Sequence, residues 1–225
     1  MVKTLFAISG MLCLAFWAGP AFSQSVSGEK VHTLLRGVVG SLALPTGEFA
    51  EETVKKTGPA TSGAGIGLMV YTPFGNSSFL SVGGEAWFTI NKVDISSLTG
   101  DFGLMSETVV GSYKNVWLLG GVQIGFGELV GIRGLAGIVI AGYPDVEFSN
   151  LGKEMKQSAD TDLTPGYGVG ARYRFSPSFF ADVTWLYCEP TFAVKRQELD
   201  VIFERVAERI NRQESVVSVG IGWFF

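Results

Sequence analysis

Charge is scarce in this chain. Asp, Glu, Lys and Arg together make up 17% of its 225 residues, and the formal net charge is −4. No basic groove or patch is available to neutralise phosphates, which excludes a nucleic-acid-binding role. Histidine occurs once, at His32, so a catalytic or metal site assembled from clustered imidazoles has nothing to build on. There are two cysteines, Cys13 and Cys188, and no Asp-rich run with calcium-loop spacing. Long apolar runs are also missing beyond the first two dozen residues. Yet 47% of the chain is hydrophobic, so the apolar residues must be spread in another pattern.

The one apolar run lies at the N-terminus. Met1-Val2-Lys3-Thr4 carries a single positive charge, Leu5 to Trp17 is uncharged, and Pro20 breaks the run. Ala21-Phe22-Ser23 then places small residues at −3 and −1 before Gln24. This reads as a secretory signal peptide over 1–23, too short to span a membrane comfortably, followed by one domain over 24–225. Cys13 sits inside the run behind the bulky Leu12 and does not suit lipid attachment. Cleavage leaves Cys188 alone, which excludes an intramolecular disulfide and marks it as an ordinary strand residue.

The rest of the chain alternates. Strands are expected near 31–44, 62–73, 79–92, 113–126, 129–141, 165–175, 179–191 and 215–225. Tight turns at 73–78, 127–128 and 176–178 separate them on one side, and long connections near 45–61, 93–112, 142–164 and 192–214 on the other. In 79–91, Leu80, Val82, Ala86, Phe88 and Ile90 oppose Ser81, Gly83, Glu85, Thr89 and Asn91. Tyr167, Val169, Ala171, Tyr173 and Phe175 oppose Gly168, Gly170, Arg172 and Arg174. Val183, Trp185 and Tyr187 oppose Asp182, Thr184 and Leu186. A soluble sandwich would show a richly charged second face. Here that face is sparse and glycine-rich (30 glycines in all), which suits a wall between lipid and a filled lumen. Gly63-Ala64-Gly65-Ile66-Gly67-Leu68 lacks the helix and acidic residue of a phosphate loop and reads as a strand with small inward positions. Phe74, Phe126, Phe175, Phe179, Trp223 and Phe225 fall toward the short turns. Trp87, Phe88, Tyr113, Tyr143, Tyr167 and Tyr187 fall toward the long connections, so two aromatic belts are expected.

The last strand carries the most specific pattern. Val217, Val219, Ile221, Trp223 and Phe225 share one face, and Ser218, Gly220 and Gly222 the other. The ending resembles the C-terminal assembly signal of Gram-negative outer-membrane barrels, with Ser218, Gly220, Trp223 and Phe225 at its marked positions. Gly40-Ser41-Leu42-Ala43-Leu44-Pro45-Thr46-Gly47-Glu48-Phe49 resembles the passage from first strand into loop in the small eight-stranded members. These are the class of the outer-membrane protein A transmembrane domain and its opacity-type, porin-like relatives. The resemblance implies an all-β, antiparallel up-and-down transmembrane barrel of eight strands, with short periplasmic turns and long extracellular loops. It implies outer-membrane lipid and the barrel-assembly machinery as partners, a surface ligand or protein reached through the loops, and no cofactor. No peptidoglycan-binding domain is expected after the barrel.

Alternation predicts a polar lumen cluster of Arg36, Glu85, Gln123, Arg133, Arg172, Arg174, Asp182 and Thr184. An eight-stranded barrel is only wide enough inside for side chains, so these charges must pair, and Glu85 and Asp182 are the natural partners of two arginines. The cluster reads as a salt-bridged plug, a gate on a narrow solute path, or an anion site. Catalytic small barrels lean on an outer-rim histidine. His32 begins the first strand on the opposite side, so no enzyme activity is expected. Within 194–212, Leu199, Ile202, Phe203, Val206 and Ile210 recur at helical spacing, which predicts an amphipathic helix in the last loop. It would cap the barrel, lie on the membrane, or dock a partner. The segment 144–163 reads as a solvated polar loop. The function expected is structural or surface interaction, with a narrow porin-like channel as the alternative.

Overall fold

The computed structural model describes residues 35–46, 60–75, 79–93, 107–109, 111–127, 129–150, 153–198 and 204–225. The signal peptide, His32, Gly47-Glu48-Phe49 and the stripe residues Leu199, Ile202 and Phe203 lie outside the described residues. Thirteen strands follow in order: β1 Leu35–Thr46, β2 Gly63–Pro73, β3 Leu80–Lys92, β4 Glu107–Val109, β5 Ser112–Phe126, β6 Val130–Gly142 and β7 Val146–Asn150. After them come β8 Lys153–Ala159, β9 Asp162–Arg174, β10 Phe179–Cys188, β11 Thr191–Glu198, β12 Glu204–Asn211 and β13 Glu214–Phe224. Eight of these close into a barrel in the order β1-β13-β10-β9-β6-β5-β3-β2. Each neighbouring pair is antiparallel, and the seam closes where β1 meets β13, with Gly37 opposite Phe224 and Thr46 opposite Ser215.

The two faces of the wall explain why these residues form strands. Leu42, Ile66, Val122, Ile132, Leu163, Val169, Val183 and Ile221 point outward and are all more than 40% exposed. A continuous apolar surface of this kind is a liability in water and a requirement in lipid. Inside, Val39, Met69, Trp87, Trp117, Leu135, Phe180 and Leu186 fill the bore and are almost wholly buried. Inward glycines make the room. A Cβ on Gly67 would come within 2.8 Å of the Trp87 ring, and one on Gly222 within 2.1 Å of the Phe180 ring. At the short-turn end the chain reverses through Gly75 and Gly127, both at positive φ, where glycine costs nothing.

The other five strands form a second sheet, ordered β12-β11-β8-β7-β4, from segments that the sequence assigned to loops. The polar segment 144–163 is largely the β7–β8 hairpin, in which Glu147 pairs with Lys156. Among the described residues of 194–212 the expected helix is absent: β11 and β12 pair antiparallel, with Phe192 opposite Ile210 and Ala193 opposite Arg209. β11 follows β10 after two residues and β12 enters β13 after two, so both inherit the barrel ladder's direction. β8 pairs with the other side of β11. Backbone pairing, on both sides of β11 and on one side of β12, outweighs the modest helix preference of Glu, Arg and Ala.

Two further expectations change with the register. Trp87, Tyr113 and Tyr143 are inward and buried, so they belong to the lumen rather than to an outer belt. Trp87 shares the odd parity of Glu85 and Thr89, which the alternation already required. Arg36 lies on the outward face. On β1 the odd positions Gly37, Val39 and Ala43 are the buried ones, and Arg36 pairs with the outward Val70.

Candidate functional site

One arginine organises the middle of the bore. Arg133, on β6, is 1% exposed and reaches two carboxylates on strands that are not its neighbours. Its Nε lies 2.5 Å from Oε1 of Glu85 on β3, and its Nη1 lies 2.9 Å from Oδ2 of Asp182 on β10. Both are ionic contacts rather than aligned hydrogen bonds. Nη2 donates to Asp182 Oδ1 at 2.9 Å and also to Thr184 Oγ1, while Thr184 donates to Asp182 Oδ1 at 2.6 Å. Glu85 accepts from the Tyr71 hydroxyl at 2.8 Å and from Trp87 Nε1 at 2.7 Å. Gly170 gives the guanidinium its space, since a Cβ there would sit 2.6 Å from Arg133 Cζ. The network therefore ties β2, β3, β6 and β10 together across the lumen. Charges this deep persist only because they are paired and hydrogen-bonded.

Both acids thus converge on one arginine instead of serving two. Arg172, 5% exposed, donates through Nη2 to Gln123 Oε1 at 2.7 Å. Its guanidinium lies 5.7, 5.2 and 5.4 Å from the ring centroids of Tyr71, Phe180 and Phe224. Arg174 sits nearer the short turns, where Nε and Nη2 donate to the carbonyls of Ser176 and Pro177. Of the eight expected cluster residues, Glu85, Arg133, Asp182 and Thr184 meet directly. Gln123 and Arg172 form a second pair, Arg174 stands at the mouth, and Arg36 is outside.

A second buried polar group lies at the long-connection end. Asn115 Nδ2 donates to Glu214 Oε2 at 2.7 Å, and Arg212 Nη1 donates to the Tyr113 hydroxyl with the guanidinium 4.3 Å from that ring's centroid. Sequence reading missed both charges because it began the last strand at 215 and put Arg212 in a helix. Glu214 shares the parity of Ser218, Gly220 and Gly222, and that signal was sufficient to place it inside.

The four marked positions of the last strand divide by face. Ser218 is buried, with its Oγ 2.5 Å from Ser41 Oγ across the seam, and Gly220 pairs with Ser41 and Asp182. Trp223 and Phe225 point outward beside each other, ring centroids 6.1 Å apart. Phe74, Phe79, Phe126, Phe175 and Phe179, each about half exposed, surround the same end.

Residues 9–222 match the family model described as outer membrane protein beta-barrel domain. The chain belongs to that family. Its barrel is similar in fold to the outer membrane protein OprG of Pseudomonas aeruginosa, at 12% identity and a TM-score of 0.50, covering 86% of this chain and 97% of that one. Likeness extends to a major outer membrane protein of Thermus thermophilus, at 15% identity, 86% and 100% coverage and a TM-score of 0.48. It extends also to the attachment invasion locus protein Ail of Yersinia pestis, at 15% identity, 85% and 97% coverage and a TM-score of 0.47. No curated protein matches the sequence. The protein is an outer-membrane barrel, and its short turns face the periplasm while the five-stranded sheet belongs to the extracellular side.

Proposed function

We propose that this outer-membrane barrel is a closed scaffold whose exposed segments carry a structural or surface-interaction role. The filled bore supports this most directly: Trp87, Trp117, Phe180 and Arg133 occupy it at 1% exposure or less, and the Arg133 network links its walls. A barrel of eight strands has no room for a water column beside such side chains. Recognition then falls to the extracellular sheet and its connections, which can hold a surface ligand or protein partner. No active site or cofactor forms part of this reading. The competing function is a narrow porin-like channel, which needs the polar network to open.

Planar-bilayer conductance of the refolded mature protein separates the two, with heat-dependent gel mobility as the control for folding. Silence at the level of empty membranes is expected. Discrete openings that change on Glu85→Gln would favour the channel. The C-terminal positions are proposed as the assembly signal read by the barrel-assembly machinery. Deleting Phe225 is expected to lower outer-membrane insertion while export stays intact, and normal insertion would remove that role.

A further inference from the structure

A cavity of about 150 Å³ opens at the periplasmic mouth of the lumen. One ordered water needs only about 10–15 Å³ on the same measure, so there is space here for a polyatomic guest. Two cations line the cavity, Arg172 and Arg174, with Ser81 and Gln123 as neutral polar groups. No acidic residue among the described residues lines it. Gly125, Gly127 and Gly131 keep the wall low, and a Cβ on Gly131 would already press on the Gln123 side chain at 3.0 Å.

Arg172 gives the cavity its chemistry. Only Nη2 is used by Gln123. Nε and Nη1 are buried and donate to no protein acceptor among the described residues. Both carboxylates of the mid-lumen network are taken up by Arg133, which leaves Arg172 stabilised by three aromatic faces and by those acids only at longer range. The network holds one formal negative charge in excess, which offsets Arg172. Arg174 then adds a second cation at the mouth, with no carboxylate among the described lining residues to offset it. A guanidinium that lines a cavity forms a charge-assisted hydrogen bond with an anion that enters it.

We propose that the periplasmic mouth is a binding site for a small oxyanion of the phosphate type, held by Arg172 and Arg174 with Ser81 and Gln123 beside them. Two sources offer this chemistry, free phosphate and the headgroup phosphate of an inner-leaflet phospholipid. Apart from Val130, the lining strand residues all lie on the inward parity of their strands, which favours the free anion. Isothermal titration of inorganic phosphate into the folded barrel, in non-ionic detergent free of phospholipid, is the test. Saturable binding is expected, weakened about tenfold or more by Arg174→Gln and lost in Arg172→Gln. Arg174→Gln leaves the mid-lumen network untouched, so it keeps the test valid if Arg172→Gln fails to fold. Saturation by a short-chain phosphatidylglycerol, with no response to inorganic phosphate, would support the oxyanion site and assign it to lipid. Absence of saturable binding by either probe, or wild-type affinity in Arg174→Gln and in any folded Arg172→Gln, would overturn it.

Discussion

Arg133 holds two acids inside the barrel, and Lys195 holds one on the extracellular sheet. Arg133 contacts Glu85 and Asp182 with all three side chains essentially inaccessible, and neutral donors also bond the same carboxylates. Lys195 Nζ lies 3.3 Å from Asp160 Oδ2, with 79% of the Asp160 side chain exposed. Water screens the second pair, and two long side chains lose entropy to form it, so it contributes little. The first cannot be broken on one side without stranding charge in a dry bore. Strand pairing is antiparallel in both regions. What differs is whether each side chain has an imposed environment.

Removing the shared cation is the hardest blow to the inner region. Arg133→Met leaves Glu85 and Asp182 facing each other's charge, and a loss of about 3–5 kcal/mol in urea unfolding of the lipid-embedded barrel is expected. A charge on the lipid side comes next. Val169→Arg, mid-strand and outward, is expected to cost about 2–4 kcal/mol by the same measurement. Overpacking the seam follows. Gly220→Ala puts a methyl group 2.2 Å from the Gly40 carbonyl oxygen, with an expected cost of about 1–3 kcal/mol. The outer pair stands at the small end, since Lys195→Ala should change stability by no more than about 0.5 kcal/mol. A large effect from Lys195, or a negligible one from Val169, would erase the distinction between the two regions.

The same distinction governs how much the sequence reveals. In the barrel, lipid on one face and a narrow lumen on the other force alternation, so Val169 and Ile221 could be placed outward and Glu85 and Asp182 inward from spacing alone. Arg36 escaped because it stands near the strand's first residues, where parity has few neighbours to fix it. The sharing of Arg133 by two acids was hidden for another reason: β6, β3 and β10 are not adjacent, and contacts across a lumen leave no periodic trace. Beyond the membrane no solvent boundary enforces alternation. Glu204-Arg205-Val206-Ala207-Glu208-Arg209 reads as helix-forming until β11, itself paired with β8, supplies the backbone partners that make it the edge of a sheet.

Arg133 is a lock held jointly by two acids, and a double-mutant cycle on Arg133→Met and Asp182→Asn measures that coupling most directly. Asp182→Asn alone leaves the arginine paired with Glu85. In that background Arg133→Met strands one carboxylate instead of two, and that carboxylate keeps its bonds from Tyr71 and Trp87. The predicted result is a coupling energy of about 1.5 kcal/mol or more between the two sites, read from urea unfolding with folded controls on gels. Additivity within about 0.5 kcal/mol would contradict the lock.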